Sequence, residues 1–277
     1  MVYITNREAN AMNEAKRLIC DFVEERLQGN LNELAHFDFA QLRLDKKYGA
    51  GRGESFDCDN TTLSKAIYVL VFEDVWNDLT FSSLENGLYR GDTINSFNTT
   101  FGKVTKTGGF AGLNRFNPDE SLQQRVLRFH SLYHTIGNFT VLPNASVAGH
   151  TLNTFRGVYY QWRDYIDIFI EALHLQLIEP QSANNEQFNQ LIVANEIDFE
   201  PYCHQKGFEL LMNKLLLNDY IDQDGKPKHL FDLIYHWDRR LTREKYLEHA
   251  NHYLDVCESI IEKRGARMVE IIASKLY

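Results

Sequence analysis

The chain has little of what would mark a covalent framework, a membrane span or a phosphate grip. Its 277 residues include only four cysteines. Cys20, Cys58, Cys203 and Cys257 are too far apart for a CxxC metal spacing and too few for a disulfide scaffold at this length. No run of about 18 apolar residues occurs, and MVYITNREANAMNEAKRL has no apolar stretch behind a basic one. Neither membrane insertion nor export is therefore encoded, which predicts a cytoplasmic protein with no membrane partner. Five prolines leave the helical patterning almost uninterrupted, so a single domain over 1–277 is expected. Basic residues are outnumbered, 29 Lys and Arg against 38 Asp and Glu, for a formal net charge of −9. That balance argues against nucleic acid as a partner, because gripping phosphates needs clustered cations. The acid concentrates over 181–225, where eight carboxylates face two lysines, net −6. Nothing in the sequence sets an oligomeric state.

What is abundant is apolar and aromatic surface, 44% hydrophobic and 13% aromatic, enough to build a sizeable core. The apolar residues recur at helical spacing. Ala11, Ala15, Leu18 and Phe22 predict a helix from Asn6 to about residue 28. Leu152, Phe155, Tyr159, Trp162, Ile166, Phe169 and Leu173 alternate steps of three and four, which predicts the longest patterned helix, capped by Thr151. Leu247, Ala250, Leu254, Cys257, Ile261 and Met268 form a second seam behind the N-cap Thr242. Residues 61–77 are apolar throughout and fit a buried helix or a strand equally well. The expected fold class is mainly α: a multi-helix globular domain with at most a few short strands.

Several motifs bear on function. Gly49, Gly51 and Gly53 suggest a phosphate loop, but no GxxxxGK[ST] follows and no βαβ unit precedes them. In YRGDTINSFNTTFG, Asp92 or Thr93 caps a short helix with Ile94, Phe97 and Phe101 inward, and Arg90, Asp92, Asn95 and Asn98 offer a cation, a carboxylate and two amides. His130 and His134 lie four apart on a predicted helix, a spacing that puts two imidazoles on one face for a divalent metal, although Ser131 stands where a zincin-type protease carries its Glu. In IGNFTVLPNASVAGHTLNTFRG, a turn at Gly137 and Asn138 leads into a short strand, and the following helix presents Asn153 and Arg156 near its N-terminus, a natural place for an anion. YHWDRRL reads as a helix end and a charged turn.

The segments DTINSF, IGNFTVLPN and TLNTFRG, with RDYIDIFIEAL after them, resemble an uncharacterised bacterial family known only as a domain of unknown function. The resemblance covers about residues 56–177, puts Asp92, Ser96, Asn144, Asn153 and Arg156 in the family pattern, and implies no activity. IGNFTVLPN followed by Asn153 and Phe155 is also similar to the GN-L-T-L-L portion of HNH nuclease modules in modification-dependent restriction enzymes. Those modules need an upstream Asp-His pair, and this chain has none. Three functional expectations follow. The first is a helical module binding a small polar or anionic ligand through Arg90, Asp92, Asn95, Asn138, Asn153 and Arg156. The second is a degenerate or divergent metal-dependent nuclease or hydrolase using His134 with Asn138 and Asn153 near a divalent metal, and the third an interaction protein without a site.

Overall fold

A computed structural model of the chain describes residues 6–49, 56–76, 79–85, 91–94, 96–103, 109–154, 165–183, 185–232 and 236–277. The first helix, α1 (Asn6–Leu27), buries Ala15, Ile19, Phe22 and Val23. It stops where Gln28 and Gly29 turn to φ of 53° and 79°, and the Gly29 N–H returns to the Val23 carbonyl at 3.0 Å, satisfying an end that a helix otherwise leaves open.

Helix α2 (Thr62–Val71) settles the ambiguous apolar segment. Thr61 accepts a hydrogen bond from the Ser64 N–H at 3.0 Å, and the helix is buried at Leu63, Ser64 and every position from Ala66 to Val71. The six consecutive apolar positions from Ala66 to Val71 fit a buried strand as well as a helix, which is why periodicity alone leaves it undecided.

Short helices α3 (Phe81–Glu85), α4 (Phe97–Phe101) and α5 (Ala111–Arg115) follow, then α6 (Glu120–Leu132), capped by Asp119 accepting from the Leu122 N–H at 2.8 Å. The C-terminal half holds α7 (Ile166–Ile178), α8 (Glu186–Ala194), α9 (Glu196–Phe199), α10 (Gln205–Lys214) and α11 (Arg243–Leu276). The only strands among the described residues are β1 (Gly91–Asp92) and β2 (Phe139–Thr140), paired antiparallel with Gly91 opposite Thr140 and Asp92 opposite Phe139. The protein is mainly α, and no helix among the described residues is long and apolar enough to cross a membrane.

The longest described helix is α11, 34 residues, starting as expected behind Thr242. The expected continuous helix from Thr151 through Leu173 is not what forms. Thr151 does accept from the Thr154 N–H at 3.2 Å, but Tyr165 is extended at φ −80°, ψ 120°, and α7 begins only after it. Phe155, Tyr159 and Trp162 lie outside the described residues. Tyr165 breaks the run because its ring is buried against Phe231 and Tyr253, while its hydroxyl lies 3.2 Å from Thr100 Oγ1. Neither Asp92 nor Thr93 caps α4, which follows Ser96. Asp92 is in β1, and Thr93 donates its hydroxyl to Asn138 instead.

Helix α11 runs through the middle of the molecule. It packs against α2, α6, the 3₁₀ turn Leu31–Ala35 and the 3₁₀ turn Ile136–Asn138 that leads into β2. The approach to that last turn is close enough to require glycine at position 137. A Cβ on Gly137 would overlap the Ile261 carbonyl and sit 2.9 Å from the Gly265 N, while Gly265 itself faces Ala35. The buried apolar side chains form one cluster from Ala15 in α1 to Ile272 in α11, each burying surface worth roughly 1.5–3 kcal/mol for a side chain of Val to Phe size.

Candidate functional site

Two sequence motifs far apart in the chain meet at the β1–β2 ladder, and one side chain holds the join. Asn138 is fully buried at 0% exposure, and its carboxamide uses its whole capacity inside the fold. Its Oδ1 accepts from the Ile94 N–H at 2.8 Å and from Thr93 Oγ1 at 3.0 Å. Its Nδ2 donates to the carbonyls of Tyr133 at 2.9 Å and Ile94 at 3.2 Å. With all these bonds directed to protein atoms, Asn138 positions the ladder and has no valence left for a ligand.

A second anchor comes from α11. Arg264 is wholly buried, and its guanidinium donates in five directions. Nε reaches the Leu216 carbonyl at 3.0 Å, Nη2 reaches the carbonyls of Leu215 and Phe139, each at 3.1 Å, and Nη1 reaches the Gly137 carbonyl and Thr93 Oγ1. Burial lowers its pKa to about 10, which still leaves it charged at neutral pH. Its acceptors are neutral oxygens, so the charge is solvated by backbone dipoles in place of water.

The ladder has two faces because directly opposed residues of an antiparallel pair project to the same side and successive residues to opposite sides. Asp92 and Phe139 share one face, where the Phe139 ring packs edge-on at 5.1 Å from Phe39. Near that face the acid gathers. The Cys58 thiol is pushed up to about 12 by burial first and then by Asp38, Asp92, Asp57 and Asp59. The two expected metal-binding histidines lie in the same region. Their rings are 4.9 Å apart and nearly perpendicular, and His134 Nδ1 is 3.7 Å from Asp38 Oδ1. Burial lowers the pKa of both, opposed by Asp38, so both are neutral at pH 7. Helix α6 ends at Leu132, so His134 lies in the turn beyond it, its ring still beside that of His130. Among the described residues no group of three His, Cys, Asp or Glu side chains is placed to hold a metal ion.

Gly91 and Thr140 share the other face. A Cβ on Gly91 would lie 2.8 Å from Asn153 Oδ1, so the Asn153 carboxamide rests on the strand where a side chain would otherwise stand. Opposite Gly91, Thr140 is 1% exposed and its Oγ1 has no hydrogen-bond partner among the described residues. An orphan buried hydroxyl is uncommon, because it forfeits its water bonds without replacement.

The expected ligand residues are therefore distributed as follows. Asp92 and Asn153 flank the ladder on opposite faces, and Asn138 is sealed beneath it. Arg90, Asn95 and Arg156 lie outside the described residues. Sequence reasoning missed Thr140 and Arg264. Thr140 is silent in a sequence, being an ordinary strand residue. Arg264 had a signal: it stands in the α11 seam between Ile261 and Met268, where the 3–4 spacing calls for an apolar residue. In YHWDRRL, Arg240 closes onto Asp238 at 3.1 Å and Arg115 donates to the Asp238 carbonyl, a charged turn as expected.

No curated protein and no solved structure matches the chain, and likeness to HNH nuclease modules is not shown. The family match starts later and runs farther than the sequence motifs suggested, taking in both Asn138 and the buried arginine of α11. A model described as a family of unknown function (DUF6994) matches residues 92–268, and the chain belongs to that family.

Proposed function

We propose that this protein binds a small polar ligand on the Gly91/Thr140 face of the ladder, with the Asn153 carboxamide and the Thr140 hydroxyl as its contacts. The observation that carries this reading is the orphan Thr140 hydroxyl, buried opposite Gly91, over which the Asn153 carboxamide rests. A buried polar atom without a partner costs about 1–3 kcal/mol, and folds keep such costs where function uses them. Asn and Thr each both donate and accept, which suits hydroxyl, amide or heterocyclic groups. The carboxylates near Cys58 gather on the opposite face and do not compete for this ligand. The anionic part of the expectation rests on Arg90 and Arg156, so the reading from described residues is a neutral, hydrogen-bonding ligand.

The test is a thermal-shift panel of neutral sugars, amides and nucleosides, with anionic and cationic compounds alongside, run on the wild type, Asn153→Ala and Thr140→Val. A neutral compound that raises the wild-type melting temperature and leaves both variants unmoved supports the reading. A panel without a hit, or a hit that shifts all three proteins equally, rejects it.

A further inference from the structure

Away from the ladder, α11 carries a second buried polar group that the proposed site does not use. His249 is 1% exposed, and neither ring nitrogen has a hydrogen-bond partner among the described residues. A neutral imidazole always carries one N–H donor and one acceptor, so leaving both unmet in an interior is unfavourable.

The segment 229–232 lies over this turn of α11. The Phe231 ring packs at 5.4 Å from Tyr253, and the His249 ring lies 6.2 Å from the same tyrosine. The segment has no regular secondary structure and is held by side chains. Asp167 Oδ2, in the first turn of α7, accepts from the N–H groups of Leu230 at 2.9 Å and Phe231 at 3.1 Å. His252 lies 3.0 Å from the Leu230 carbonyl, and His229 lies 3.4 Å from Glu171.

We propose that residues 229–232 form an acid-releasable strap over α11, and that protonation of His249 beneath it is what opens it. The reasoning is electrostatic. An imidazolium at this position would be a buried charge with no acceptor in contact, and the least costly way to hydrate it is to lift the few residues that cover it. The charged groups around it do not substitute for water. Asp232 on the strap pulls its pKa up and His252 on its own helix pushes it down, while burial dominates both and sets it at about 4. Asp167, Glu171 and His229 are engaged with the strap or with each other. At neutral pH the imidazole is uncharged and the strap stays closed. As pH falls below the ordinary histidine value of 6.5, the open form takes up a proton that the closed form refuses. The opening constant then rises about tenfold per pH unit, to a limit of about 300-fold well below pH 4.

Hydrogen exchange of the intact chain tests this, with rates corrected for the intrinsic pH dependence of exchange. Between pH 7.5 and 5 the amides of Leu230 and Phe231 should lose protection by more than tenfold while those of α2 keep theirs. His249→Phe, which retains a ring of similar bulk, should abolish that pH dependence. Asp167→Asn should weaken protection at every pH without removing the slope. A slope that survives in His249→Phe would assign the release to a group other than His249 and overturn the proposal. Loss of protection in α2 at the same pH as in the strap would also overturn it, because the opening would then be global.

Discussion

Replacing Thr140 by Val separates a functional hydroxyl from a structural one. The two side chains have nearly the same shape, so the substitution leaves Gly91 and the packing around β2 in place and removes one oxygen. In the fold as described, that oxygen is buried with no hydrogen-bond partner among the described residues. Its removal therefore costs no hydrogen bond and recovers part of a desolvation penalty of about 1–3 kcal/mol. With about half of that recovered, Thr140→Val should be more stable than the wild type by about 1 kcal/mol, a rise of about 2–4 °C in melting temperature for a domain near this size. Urea titration and a thermal scan without ligand both read it, and an unchanged m-value would locate the effect in the native state. The same variant should lose any ligand-dependent shift. A Thr140→Val protein less stable than the wild type by 1 kcal/mol or more would mean the hydroxyl is bonded in the native state, and the argument for a site there would fail. Thr93→Val is the matched control. Its hydroxyl donates to Asn138 and accepts from Arg264, so it should lose about 1–3 kcal/mol on the same assay.

Asn138→Ala strips four hydrogen bonds from a closed interior and should destabilise by about 3 kcal/mol or more in urea unfolding; a loss under 1 kcal/mol would show that the ladder does not depend on it. Arg264→Met should cost about 3–5 kcal/mol, since four backbone carbonyls lose their donor at once. Arg264→Lys should not restore it, because an ammonium has no fork to span acceptors on both β2 and the 215–216 turn. The Cys58 thiol, raised to about 12, should react with iodoacetamide at pH 8 far more slowly than the exposed Cys20, read by peptide mass spectrometry. Equal labelling of the two in the folded protein would contradict the acidic environment assigned to Cys58.

How much of this was written in the sequence varies by element. Helix α11 was legible because its seam is amphipathic and Thr242 is a cap of the preferred type, so local and tertiary signals agree. Helix α2 was not, because its short, unbroken and partly β-branched apolar run reads equally well as a strand. The helix drawn through Tyr165 failed for a different reason. The pattern was helical, but the burial of one aromatic ring against Phe231 and Tyr253 overrode it. The two polar motifs were legible as places of interest. That Gly91 lies under Asn153 was not, since the sequence cannot say which glycine is spared a side chain for the sake of a neighbour. Alternation along a strand of two residues is likewise too short to read, and it is what separates Asp92 from Asn153.

The reach of Arg264 fixes an order of events during folding. It clasps Gly137 and Phe139 across separations of 127 and 125 residues, contacts of the slow, non-local kind. On a growing polypeptide the residues of both strands leave the ribosome long before this cation does, so the ladder they form must wait, unlocked, for its clasp. A nascent chain arrested ahead of residue 264 should therefore leave the β1–β2 ladder without its clasp.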